Sequence, residues 1–171
     1  MFKNIILTGF MGVGKTSVGT RLAGDLGYSF VDTDTLIEAD QRISITEIFK
    51  KFGEPYFRDI ETKVIRKVMG CVNQVVSTGG GAVIRDENRD AFKQAGFVVC
   101  LSARPEVIFE RIRHETHRPL LQTPDPLAKI RELLDQRAKY YEQADAVIDT
   151  SEKSVDSVIS EIKERIRHAY C

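Results

Sequence analysis

The chain has 171 residues, 42% apolar and 29% charged, and its 25 basic and 25 acidic side chains cancel to a formal net charge of zero. That length suits one domain with a real core, and the charge balance argues against a general polyanion-binding surface, so no nucleic-acid partner is expected. No stretch approaches the ~20 apolar residues that span a bilayer, the N-terminal run does not read as a secretory signal, and the scattered Cys71, Cys100 and Cys171 suit free thiols in a reducing cytoplasm.

In chain order, the apolar run within 3–8 predicts a buried strand. Gly9-Phe10-Met11-Gly12-Val13-Gly14-Lys15-Thr16 follows and fits G-x-x-x-x-G-K-[ST]. Val18, Leu22 and Leu26 then recur at helical spacing, which predicts a helix over about 14–26. A strand, a glycine-rich turn and a helix N-terminus form a cradle for phosphate. Lys15 is placed to reach the β- and γ-phosphates of a nucleoside triphosphate and the Thr16 hydroxyl to bind Mg²⁺.

A short strand over 29–31 leads to Asp32 and Asp34 and a helix over 33–41. Ligands of open α/β sheets bind beyond the carboxyl ends of strands. One aspartate there suits Mg²⁺ held through water, and the other a substrate hydroxyl. The competing reading is that this Asp-x-Asp caps the helix. Ser44 with Glu47 resembles a capping box for a helix over 45–52, which Gly53 closes. The next helix, 55–69, ends at Gly70. On it Arg58 shares a face with Glu61, Ile65 and Val68, so it borders the buried stripe and needs a partner: Glu61, a ligand carboxylate, or both.

A strand over 74–78 ends in Gly79-Gly80-Gly81. A plain turn needs one or two glycines; a third points to close approach of the backbone to a ligand, with a flexible loop as the alternative. A helix over 86–95, a strand over 97–102 and a helix over 105–114 come next. The polar, proline-containing segment of about 112–125 reads as a mobile lid with Arg118 in its middle and Arg111 at its approach. His114 and His117 have the wrong separation for a zinc helix. Over the helix 126–143, Leu127, Ile130, Leu134, Arg137 and Tyr141 recur at three- and four-residue steps, so an arginine occupies a position where the period calls for an apolar residue. An anionic ligand, an internal carboxylate or snorkelling at the stripe's edge would each explain it. A strand over 146–149 and an amphipathic helix over 153–168 complete the chain. Continuous rather than alternating apolar runs suit parallel strands covered on both faces, so the expected architecture is a three-layer α/β fold with a parallel sheet of about five strands.

Six features in this order resemble the shikimate kinases: GFMGVGKT at 9–16, VDTD at 31–34, FRDIE at 57–61, TGGGAV at 78–83, RPLL at 118–121, and Arg137 before Tyr140-Tyr141. The resemblance covers nearly the whole chain. It implies a single P-loop kinase domain over 1–171, of the nucleoside monophosphate kinase type, with a substrate-binding region at about 33–61 and a lid. It further implies transfer of the ATP γ-phosphate to the 3-hydroxyl of shikimate. On that basis Gly12, Val13, Gly14, Lys15, Thr16 and Ser17 bind the ATP phosphates, and Thr16 and Asp32 serve Mg²⁺, Asp32 through water. Asp34 contacts the shikimate hydroxyls and is the favoured base. Arg58 and Arg137 hold the carboxylate, with Gly79, Gly80 and Gly81 lining the site. Arg118 comes from the lid onto the phosphates and Arg111 packs near adenine. A monomeric cytoplasmic enzyme is expected. A gluconate-type kinase of the same fold is the nearest rival, against which the TGGGA loop and Asp-Thr-Asp weigh. A GTP-dependent switch lacks its NKxD-like segment. A non-catalytic regulator fits poorly with intact Lys15, Thr16, Asp34, Arg58, Arg118 and Arg137.

Overall fold

The computed structural model describes residues 2–114 and 123–169. Its strands are β1 (Asn4–Thr8), β2 (Ser29–Asp32), β3 (Gln74–Ser77), β4 (Phe97–Ser102) and β5 (Ala146–Asp149). They form one parallel sheet in the order β2-β3-β1-β4-β5. Central β1 explains its own composition: Ile6 pairs in register with Val76 on one side and Val98 on the other, and every residue of the strand is buried. A strand with both faces covered has no reason to alternate. Edge strand β5 does alternate, with Ala146 and Ile148 buried and Val147 and Asp149 exposed.

The helices are α1 (Lys15–Leu26), α2 (Thr33–Gln41), α3 (Ile45–Met69), α4 (Asp86–Ala95), α5 (Pro105–Ile112), α6 (Pro126–Tyr141) and α7 (Val155–His168). One core joins Ile5 and Leu7 of β1 to Val18 and Leu22 of α1 and Ile159 and Ile162 of α7. A second joins Ile6 and Cys100 to Ile65 of α3, Phe92 of α4 and Tyr141 of α6. Successive residues of β1 therefore feed opposite layers, as the period of two requires. A third, smaller core of Ile37, Ile48, Phe57 and Ile60 packs α2 against α3, and this patch holds the region expected to bind substrate.

The elements expected over 45–52 and 55–69 run together as α3, broken inside by Gly53 at φ 81°, ψ 173°. Gly53 does close the first segment. Pro55 starts the second, where a proline lacking an N–H is tolerated. The capping box is present: the Ser44 side chain accepts from the Glu47 N–H and Glu47 accepts from the Ser44 N–H. A 3-10 turn over Ala82–Ile84 was not expected from the sequence; it follows the glycine run and carries the chain into α4. Residues 115–122, with Arg118, the RPLL motif and His117, lie outside the described residues, as does Cys171. Among the described residues no helix is long and apolar enough to cross a membrane.

Candidate active site

At the carboxyl ends of β1, β2 and β3 lies a cleft of about 340 Å³ whose lining includes Gly12, Lys15, Thr16, Asp32, Asp34 and Gly80. Each arrives there for a local reason. The turn between β1 and α1 ends at Gly14, which takes φ 99° and caps α1 without a side-chain hydrogen bond. The N–H groups of the first helical turn, and the positive end of the helix, are thus left to an anion. Thr16 and Ser17 are exposed on that turn, and Val13 is buried beneath it. Lys15 folds back along the loop, its Nζ donating to the carbonyls of Gly9 and Phe10 at 2.8 Å each.

Asp32 does cap α2, accepting from the N–H groups of Asp34 (3.0 Å) and Thr35 (3.2 Å) through Oδ1. Capping and a place in the cleft turn out to be compatible, because the helix start is the wall of the cleft. Asp34, in the first turn, has its Oδ1 buried and without a hydrogen-bond partner. Burial, and then the charges of Asp32 and Glu61, push its pKa up to about 6.

Glu61 is wholly buried. Its Oε2 accepts from Arg58 Nη1 at 2.7 Å, while Oε1 is buried and unpartnered. Arg58 also meets Glu54 at 3.1 Å. The internal pair that the helical spacing allowed is therefore made. Even so, burial raises the pKa of Glu61 against the pull of Arg58, and the charges of Arg85 and Arg137 also act on it. Arg58 and Arg137, from different helices, thus address one buried carboxylate. Arg137 is half-buried over the Phe10 ring, 5.6 Å from its centroid. Among the described residues no carboxylate lies within ion-pairing distance of Arg137.

The three glycines meet three different neighbours. A Cβ on Gly79 would stand 2.8 Å from both Asp34 Oδ1 and Glu61 Oε1; one on Gly81 would stand 2.2 Å from Arg58 Nη2. On Gly80 it would face the phosphate-loop backbone, 3.4 Å from Met11 N. The room these glycines leave is taken by the carboxylates of Asp34 and Glu61, the Arg58 guanidinium and the phosphate-loop backbone. This is a sharper reason for three glycines than approach to a ligand alone.

Arg111 donates to the Gly12 carbonyl at 3.2 Å and to the Thr150 hydroxyl and carbonyl at 3.1 and 2.8 Å. It therefore ties the phosphate loop to the segment after β5. Sequence reasoning missed Thr150, whose buried hydroxyl also bonds the Val13 carbonyl at 3.0 Å. A lone threonine after a strand carries no signal of such a role. Glu61 was legible only as a partner for Arg58. Tyr141 was legible only as one residue of an apolar stripe.

The donor set fits Mg²⁺ and ATP. It offers a hydroxyl and carboxylate oxygens, with few carboxylates, beside an uncapped helix N-terminus.

A family model described as shikimate kinase matches residues 11–167. A shikimate kinase of Thermodesulfovibrio yellowstonii is 49% identical over 160 residues, covering 94% of this chain and 92% of the relative. The structure of a shikimate kinase from Acinetobacter baumannii in complex with shikimate superposes with a TM-score of 0.94 at 38% identity, covering 99% of this chain and 95% of that one. A gluconokinase from Sinorhizobium meliloti, 19% identical with a TM-score of 0.57, shares the fold alone. With the phosphate loop, Asp34 and Gly80 in one cleft, the buried Arg58–Glu61 pair beside the neighbouring glycines, and these relatives spanning nearly its full length, the chain belongs to the shikimate kinase family.

Proposed function

We infer that this chain catalyses ATP-dependent phosphorylation of the 3-hydroxyl of shikimate, giving shikimate 3-phosphate and ADP for aromatic amino-acid biosynthesis. The observation that carries this reading is the glycine ledge. Asp34 and Glu61 lie at Gly79 and Arg58 at Gly81, with Gly80 between them against the phosphate loop, so a small hydroxylated acid and a triphosphate can lie next to each other.

Gly12, Val13, Gly14, Lys15, Thr16 and Ser17 hold the ATP phosphates by backbone N–H groups, the ammonium and hydroxyls. Lys15 leaves the carbonyls of Gly9 and Phe10 to do so. Thr16 and, through water, Asp32 would hold Mg²⁺, which when bound would neutralise phosphate charge. Arg58 and Arg137 clamp the shikimate carboxylate, and Gly79, Gly80 and Gly81 line its seat. The ring hydroxyl then faces Asp34. As the hydroxyl oxygen bonds the γ-phosphorus and the bond to the ADP oxygen breaks, Asp34 takes the hydroxyl proton. A carboxylate raised to about 6 is a better acceptor than an ordinary one. Arg118, outside the described residues, is assigned to the transferring phosphoryl group by its RPLL motif, and lid closure excludes water so that the sugar-like hydroxyl, not water, attacks. Arg111 braces the ATP side through Gly12 and Thr150. The working protein is a cytoplasmic monomer without a nucleic-acid partner.

The test is ADP release with shikimate, quinate, gluconate and nucleoside monophosphates as acceptors. Shikimate is expected to stand well clear of the others. Equal rates with gluconate would move the chain to the gluconate-type reading, and absence of ADP release with every acceptor would favour a non-catalytic role.

A further inference from the structure

Tyr141 closes α6, one turn beyond Arg137, and stands outside every role assigned so far. It is 8% exposed. Its hydroxyl donates to the Gly80 carbonyl at 2.6 Å. The Arg137 guanidinium acts on the same phenol, opposing the burial that pushes its pKa up to about 12. The oxygen is thus donor to the glycine ledge, and Arg137, one helical turn earlier on α6, sits over the Phe10 ring that lines the same apolar cleft as Tyr141. The ring itself is held in the core with Ile6, Val83 and Cys100. It also walls an apolar cleft of about 200 Å³ shared with Phe10 and Leu134.

Gly80 is the middle of the ledge. Gly79 before it fits between Asp34 and Glu61, and Gly81 after it lies under Arg58. A displacement of the Gly80 carbonyl therefore rotates the peptide planes beside all three charged groups. Phe at position 141 would fill the core but remove the hydrogen bond to that carbonyl.

We propose that Tyr141 is a positioning residue for the acceptor half of the reaction: its hydroxyl pins the Gly80 carbonyl and at the same time orients Arg137 toward the substrate carboxylate. It touches neither substrate. This rests on the shikimate kinase reading above. It adds a claim of asymmetry: the phenol serves the acceptor site more than the ATP site, which Gly80 only borders at the phosphate loop.

The test is Tyr141→Phe, which keeps the ring and removes one oxygen. Shikimate-dependent ADP release by the unaltered protein is the control for the reading on which the proposal rests; its absence sinks both. With the control positive, Tyr141→Phe is expected to raise the KM for shikimate about tenfold, the equivalent of one hydrogen bond of about 1.4 kcal/mol. The KM for ATP should change much less. A purely structural phenol would lower the melting temperature and leave the shikimate KM alone, and that result overturns the proposal. A double-mutant cycle with Arg137→Ala gives a second measure that tolerates some loss of stability in either variant. If Tyr141 acts through Arg137, the two losses of shikimate affinity, followed by calorimetric titration, are less than additive. Full additivity overturns it.

Discussion

Asp34 occupies a position where burial works against ionisation and the proposed chemistry calls for it. In the unfolded chain its carboxyl titrates near 3.8, and in the folded chain near 6. The folded state therefore binds the proton more tightly, so the contribution of this group is fully present below about pH 4 and is lost as pH rises through about 6. Asp34→Asn is expected to stabilise the protein by about 2–3 kcal/mol at pH 8 and by almost nothing at pH 4, while abolishing turnover. Denaturant melts at the two pH values check this; equal gains at both would sink the assigned cause. Arg58 and Arg137 part company at the same scale. Arg58→Ala strands Glu61, a fully buried carboxylate, and should cost about 3–5 kcal/mol of fold stability in addition to shikimate affinity. Arg137→Ala leaves no ion-paired carboxylate behind and should cost about 2–5 kcal/mol of productive shikimate binding with little change in melting. Unchanged shikimate dependence in both variants would falsify the clamp.

Among the elements, α3 carries the site's geometry. Its two segments differ in direction because Gly53 sits at a backbone conformation that only glycine adopts readily. An added Cβ there would find open space, with Pro55 Cδ nearest at 3.8 Å, so the cost of Gly53→Ala is conformational and not steric. It should be about 1–3 kcal/mol in stability, with a rise in shikimate KM because Arg58 and Glu61 lie beyond the break. Circular dichroism melts and acceptor kinetics measure the two effects, and a neutral Gly53→Ala would show that the bend is incidental. The break itself was readable, since glycine followed by proline after a capped helix is a strong local stop. The 3-10 turn after the glycine run was not, because its form depends on Asn88, which donates to the Ala82 carbonyl from the next helix.

The whole molecule brings the ATP side together from three distant stretches. Thr150 follows the last strand, yet its hydroxyl bonds Val13 in the phosphate loop and its N–H donates to the Ser102 carbonyl at 2.8 Å. Thr150→Val should therefore lose about 1–3 kcal/mol of stability, the cost of leaving buried polar groups unpaired, and should raise the KM for ATP while sparing that for shikimate. Equal effects on both substrates would contradict the division of the cleft into two halves. By contrast, ion pairs such as Arg104–Glu152 and Arg131–Glu106 are exposed, and pairs of that kind contribute little.

Local pattern by itself determined the parallel sheet, the phosphate loop and the family motifs. Each depends on residues close in sequence: a continuous apolar run marks a strand covered on both faces, and a glycine-lysine-threonine turn before a helical period marks an anion cradle. Only the tertiary structure decided what the glycines at 79–81 face, that Glu61 is wholly buried, that Asp32 caps a helix while lining the cleft, and that Thr150 and Tyr141 reach loops elsewhere in the chain. Apart from the local cap, those are contacts between segments about 20 to 140 residues apart, a range over which short-range periodicity holds no information. Burial and pKa follow from such contacts, so the electrostatics of the site had to wait for the fold.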